Sequence, residues 1–204
     1  SPVDDFFSDG IDFAQPTSFV NSGFHSPHPY TPNAEFSFTL KSPIRVGGEI
    51  TTILYEDVAI VEPGAEGSSF GEQGFFDYVV VEGTADGLNW IPLGDGYDAS
   101  RDPEWLNRWN RNGTGSRAFF VEQSIDLLDF FDEGDVVAIR FRMSTDGSGN
   151  GWGWAVDNIY IQQEKPAVVN GLENEKLNNQ LGVEIFPVPA ASATEATVRY
   201  FLPT

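Results

Sequence analysis

The sequence predicts an all-β, two-sheet antiparallel sandwich, and three observations carry that reading. The apolar pattern has period two wherever it is strong. The chain is rich in aromatics, 14% of residues with 17 Phe against one Met, and aromatics suit pleated, half-buried surfaces. Its 21 Gly and 13 Pro fall between apolar runs, which is turn punctuation.

The elements follow in order. In Glu35-Phe-Ser-Phe-Thr-Leu40, Phe36, Phe38 and Leu40 share one face, with Ser37 and Thr39 on the other. Ile139-Arg-Phe-Arg-Met143 alternates in the same way. Both read as half-buried antiparallel strands. Further strands are expected at Ile50–Tyr55, Val58–Val61, Tyr78–Val81, Trp90–Leu93, Ala118–Val121 and Trp154–Ile161. Pro63-Gly64, Asp86-Gly87, Gly94-Asp-Gly96 and Asp146-Gly147 supply turns between them. A helical period shows only around Asp102–Trp109 and Ile125–Phe131, as one or two turns in loops. Composition shifts after Gln163. Residues 1–163 read as the sandwich, 164–181 as a polar linker, and 182–204 as the start of a second small β unit. That last segment is too short to bury a core, since chains below ~40 residues usually need staples.

Charge narrows the function classes. Asp plus Glu number 31 against 11 Lys plus Arg, a net charge of −20. Such a surface repels phosphate backbones and anionic lipids, so nucleic acid and membrane insertion are not expected. No segment approaches ~18 consecutive apolar residues. With no cysteine, neither a disulfide framework nor a thiolate metal site is available. The chain opens with Ser-Pro and reads as an internal or processed piece of a longer precursor. The acids either solvate the surface or bind a hard cation, because calcium takes several oxygen ligands.

Asp57, Glu62, Asp77 and Asp157 are the metal-ligand candidates. Glu56, Asp57, Glu62, Glu72 and Asp77 gather at strand ends around a Gly-rich loop. Asp157 stands inside the apolar strand that follows Asp146-Gly-Ser-Gly-Asn-Gly151, and a buried carboxylate needs partners or a metal. The alternative is a solvated rim, with Asp157 bonding neighbouring amides. Asp4 and Asp5 are further, terminal candidates. Trp105, Trp109 and Trp152 lie in or beside loops and are the ligand-binding candidates, either stacking on sugar rings or forming a loop mini-core. In Thr84-Ala-Asp-Gly-Leu-Asn-Trp90 the Asp-Gly pair reads as a tight hairpin turn with Trp90 packed beneath. His25 and His28 sit in a proline-stiffened segment, Phe24-His-Ser-Pro-His-Pro-Tyr30. No Gly-x-Ser-x-Gly and no His-Glu-x-x-His accompanies them, so no catalytic residue is assigned.

These same segments carry a resemblance. Phe24-His-Ser-Pro-His-Pro-Tyr30, Asp57–Gly64, Asp77–Gly83, Gly94–Asp98 and Gly151–Asn158, in that order, resemble the jelly-roll, MAM-like modules of large secreted proteins of Bacteroidetes-type bacteria. The resemblance implies a concanavalin-like or MAM-like jelly roll, often with a structural metal, here Ca2+. It supplies no activity. Val183-Glu-Ile-Phe-Pro-Val-Pro-Ala190 with Ala196–Leu202 resembles the start of a type IX secretion system C-terminal sorting domain. Val188 stands where that family usually has Asn. The likeness implies export across the outer membrane, a secreted or cell-surface location, and the type IX machinery as a partner through the tail. The expectation is a non-catalytic, calcium-stabilised module for adhesion or domain positioning, with a glycan or surface protein as its ligand. The alternatives are a carbohydrate-binding module and a secretion cargo or surface-filament subunit.

Overall fold

The computed structural model describes residues 2–166, 182–186 and 197–201. The chain divides into two units, Ser1–Lys165 and Pro166–Thr204. The first holds a short helix, α1 (Pro2–Asp5), then β1 (Phe6–Asp9), β2 (Asp12–Ala14), β3 (Gly23–His25), β4 (Glu35–Leu40), β5 (Ile44–Arg45), β6 (Thr52–Ile60), β7 (Tyr78–Thr84) and β8 (Ile91–Pro92). A longer helix follows, α2 (Pro103–Asn110), and then β9 (Val121–Asp126), β10 (Val136–Ser144) and β11 (Gly153–Ile161).

Two antiparallel sheets form the sandwich. One runs β1-β4-β10-β7-β8, with β5 pairing the start of β10, and the other runs β2-β3-β11-β6-β9. The chain crosses from sheet to sheet as it proceeds. Its last two strands then enter the two sheets between earlier ones, β10 between β4 and β7, β11 between β3 and β6. That insertion is the double Greek key of a jelly roll, so the fold class is as expected.

The core follows from alternation. Along β10, Val137, Ile139, Phe141 and Met143 are buried while Arg140 and Arg142 look outward. Arg140 and Arg142 both reach Glu82 on β7, at 2.7 and 2.8 Å, so the outer face is laced rather than bare. Between the sheets Phe38 stacks on Phe24 at 4.2 Å and on Phe141 at 4.7 Å. Fully burying each such ring contributes on the order of 1.5–3 kcal/mol.

Three local expectations changed. The two runs around Ile50–Val61 form the single strand β6, because neither acid between them interrupts it. Glu56 turns outward to Arg117 and Lys165, and Asp57 turns inward to neutral donors. The helical period at Ile125–Phe131 is the end of β9 and one 3-10 turn, Leu127–Asp129, capped by Asp126. Of Ala118–Val121 only Val121 is in a strand, since residues Arg117–Phe119 form a 3-10 turn. The helix at Asp102–Trp109 is present as α2, with Asp102 as its N-cap and Pro103 opening it.

In the second unit β12 (Gly182–Phe186) pairs antiparallel with β13 (Thr197–Phe201), Gly182 opposite Phe201 and Phe186 opposite Thr197. Most of the expected linker, and Pro187–Ala190 of the tail motif, lie outside the described residues.

Candidate functional site: an acidic cluster beside an aromatic cleft

The four carboxylates singled out in the sequence go to three places. Asp57 is fully buried between the sheets. It accepts hydrogen bonds from Tyr97 Oη (2.6 Å), Trp154 Nε1 (2.8 Å) and Gln123 Nε2 (3.0 Å). Burial pushes its carboxyl up to about 6, against the lowering effect of those donors. Its lone pairs are spent on the core. Asp157 faces away from the sheet interface, accepting from Asn21 Nδ2 (2.6 Å) and the Asn158 N–H (2.7 Å), with Arg117 3.9 Å away. Glu56 is paired with Arg117 and Lys165, and Glu72 caps the Ser69 N–H.

Glu62 and Asp77 do meet, and Asp146 joins them. Oxygens of the three lie within 4.8 Å of one another. Glu62 sits just past β6, Asp77 just before β7, and Asp146 two residues past β10, so rigid strand ends hold all three. Asp77 is fully buried. It accepts from Tyr30 Oη (2.5 Å) and from the Asp146 N–H (2.7 Å). The Tyr30 oxygen in turn accepts from the Glu62 N–H at 3.1 Å. Glu62 Oε2 is buried with no hydrogen-bond partner.

This arrangement lacks positive charge. Burial pushes the Glu62 carboxyl up, and the charges of Asp77 and Asp146 push it further. Burial also raises Asp77. Two like unit charges ~4 Å apart repel by about 4 kcal/mol at an effective dielectric of ~20. A proton or a cation relieves that repulsion. The donor set is all carboxylate oxygen, which suits a hard ion. Oxygens ~2.4 Å from one calcium ion are at most ~4.8 Å apart, so the spacing fits. Glu62, Asp77 and Asp146 are therefore the residues that would hold the ion.

Asp146 was read from sequence as a turn residue, because Asp-Gly is ordinary turn chemistry. It does serve that turn, accepting from the Ser148 N–H at 2.7 Å. The available signal was its place at the end of a strong alternating strand, beside a loop with three glycines.

The tryptophans also separate. Trp105 is fully buried, with its indole N–H donating to the Phe119 carbonyl at 2.8 Å. It belongs to the core and has no face to offer a ligand. Trp109 and Trp152 are half-buried and line one cleft of about 350 Å³. Pro29 and Ile60 complete its apolar walls. His28, Asn112, Thr114 and Asn150 add neutral polar groups. His28 stacks on Trp152 with ring centres 3.9 Å apart.

The two histidines form a chain. His28 Nδ1 lies 2.7 Å from the Trp152 carbonyl, and His28 Nε2 lies 3.0 Å from His25 Nδ1. A carbonyl only accepts, so neutral His28 donates from Nδ1 and its Nε2 accepts from His25. Burial holds both imidazoles below their ordinary range, His25 at about 4.

No family model matches the chain, and no curated protein matches it.

Proposed function

We propose that this chain is a non-catalytic, calcium-stabilised module of a secreted or cell-surface bacterial protein, serving adhesion or the positioning of neighbouring domains. One observation carries the calcium reading: three carboxylates share a small volume at the strand ends, and a buried oxygen of Glu62 is left without a partner. The histidines support the non-catalytic reading, being engaged with each other and with a backbone carbonyl. The secreted location rests on the resemblance of residues 183–202 to a sorting domain. Export unchanged on deletion of Val183–Thr204 would count against it.

The calcium reading is tested by thermal unfolding of chelator-treated protein. At a hundredfold excess over Kd, calcium adds about 2.7 kcal/mol. For a domain of this size that is a rise of roughly 5–10 °C. Glu62→Gln and Asp146→Asn are expected to abolish the rise. An unchanged melting temperature in wild type removes calcium from the proposal.

A second reading has its own observation. The cleft at Trp109 and Trp152 joins aromatic walls to neutral hydrogen-bonding groups, which is how a carbohydrate-binding site is built. Retention on polysaccharide that survives both Trp109→Ala and Trp152→Ala would sink it.

A further inference from the structure

Two Asn-Gly pairs line the cleft, Asn112-Gly113 just past α2 and Asn150-Gly151 in the loop before β11. Such a pair is chemically reactive. Glycine has no Cβ, so little hinders its amide nitrogen from reaching the side-chain carbonyl carbon of the asparagine before it. Both asparagines are exposed. Among the described residues neither side-chain amide makes a hydrogen bond. Exposure and sequence therefore give the two pairs the same reactivity.

The backbone separates them. α2 closes with a hydrogen-bonded turn, in which the Asn112 N–H donates to the Trp109 carbonyl at 3.0 Å and the Gly113 N–H to the Arg108 carbonyl at 2.8 Å. Asn112 holds the left-handed conformation common at a helix C-terminus, φ 49. The nitrogen that would attack is thus aimed at a carbonyl, and its proton is held there. The Gly151 N–H has no hydrogen-bond partner among the described residues. Gly151 itself is held in place. Its carbonyl accepts from the Tyr30 N–H at 3.3 Å, and the Trp109 ring lies so close that a Cβ would collide with it. Residues 147–150 before it are exposed, so the Asn150 side chain can swing onto a nitrogen that stays put.

We infer that Asn150 is a site of spontaneous deamidation in the folded protein, and that the turn closing α2 protects Asn112. The Gly151 nitrogen bonds to Asn150 Cγ. The side-chain nitrogen leaves as ammonia, taking the proton that Gly151 gives up, and a cyclic imide closes. Water then opens the imide at either carbonyl. One opening leaves an aspartate, the other an isoaspartate with one more carbon in the main chain. Nothing is oxidised or reduced, and water is the co-reactant.

The product alters the cleft. No charged side chain lines it, and the new carboxylate puts a negative charge there in a chain already at −20. An isoaspartate also lengthens a loop whose two ends are fixed, at Asp146 through the Asp77 carboxylate and at Gly151 through Tyr30. The inference depends on neither the calcium reading nor the carbohydrate reading.

The test is incubation of the full chain in warm, mildly alkaline buffer, followed by peptide mapping with mass spectrometry. Peptides carrying Asn112 and Asn150 are followed separately, as is the one carrying Asn170-Gly171, which lies outside the described residues. In the folded protein Asn150 is expected to lose its amide about tenfold faster than Asn112, the worth of one hydrogen bond of ordinary net strength. In urea the two rates are expected to converge, because the turn that protects Asn112 is gone. Asn150→Gln, whose longer side chain closes a ring slowly, is expected to abolish conversion at that position and leave the slow loss at Asn112. Equal rates in the folded protein, or a faster Asn112, overturn the inference. So does an Asn150 that stays intact while the unfolded chain converts. A rate ratio that persists in urea overturns the protective role of the turn.

Discussion

At the residue scale, two glycines two positions apart do different work. Gly149 has φ +71, a conformation that side chains rarely adopt, and it backs onto Glu62. Gly151 backs onto Trp109 and the Ile60 carbonyl. A methyl group at each is expected to break a different site. Gly149→Ala displaces the Glu62 carboxylate, so the calcium-induced rise in melting temperature should fall by more than half. Gly151→Ala pushes Trp109 into the cleft, so polysaccharide retention should fall while the calcium-induced rise persists. Calorimetric calcium titration of the two variants separates these outcomes, and equal calcium affinity in both would contradict the assignment. Little of this was legible beforehand. A Gly-rich run reads as a loop from composition, but which side chain each glycine accommodates depends on residues distant in the chain, Glu62 for Gly149 and Trp109 for Gly151. Trp105 shows the same limit. Its position in or beside a loop made it a candidate for stacking, whereas helix geometry turns it inward, and Trp105→Ala should cost about 3–5 kcal/mol of stability measured by denaturant unfolding.

At the scale of elements, legibility tracks the strength of the pattern. β4 and β10 were readable residue by residue because their alternation meets the core on one side and solvent on the other. β1, β2 and β3 were not singled out as strands, being three or four residues each. Segments so short carry almost no periodicity, and the pairing of β1 with β4, of β3 with β11 and of β2 with β3 defines them. α2 was readable through its helical period, and the structure adds the cap that starts it. The Asp102 carboxylate accepts from the Glu104 N–H (2.8 Å) and the Trp105 N–H (3.3 Å). α2 packs against β6 and carries both Trp105 into the core and Trp109 to the cleft. Asp102→Ala is therefore expected to cost about 1 kcal/mol, a fall of roughly 2–4 °C in melting temperature. Asp102→Asn, which keeps a capping oxygen, should recover most of it. If the alanine variant melts with wild type, the cap contributes nothing to the fold.

For the whole molecule, the buried titratable groups oppose one another as pH falls. His25 is held at about 4 against an ordinary 6.5. The unfolded chain takes up a proton there that the folded one refuses, so stability falls from pH 6.5 down to about 4. Asp57 is raised to about 6 from 3.8. The folded chain keeps a proton there that the unfolded one has lost, so stability rises as pH falls from about 6 to 3.8. Each shift of about two units is worth about 3 kcal/mol, and the two nearly cancel across the shared window. Comparing Asp57→Asn with wild type isolates one of them, because the remaining carboxylates and both histidines are common to the two proteins. Asn fits the site. Its oxygen accepts from Tyr97 and Trp154 as Asp57 Oδ2 does, and its NH2 donates to Gln123 once that amide turns over. The variant then carries no charge at this site at neutral pH. It is expected to be more stable than wild type by up to about 3 kcal/mol at pH 7, with the advantage shrinking through pH 6–4 and gone by about pH 3.8, measured by urea unfolding across the range. A pH-independent difference would place the carboxylate in a better solvated site than the one between these sheets. A variant less stable at pH 7 would mean that the three donors hold the ionised form more strongly than burial opposes it.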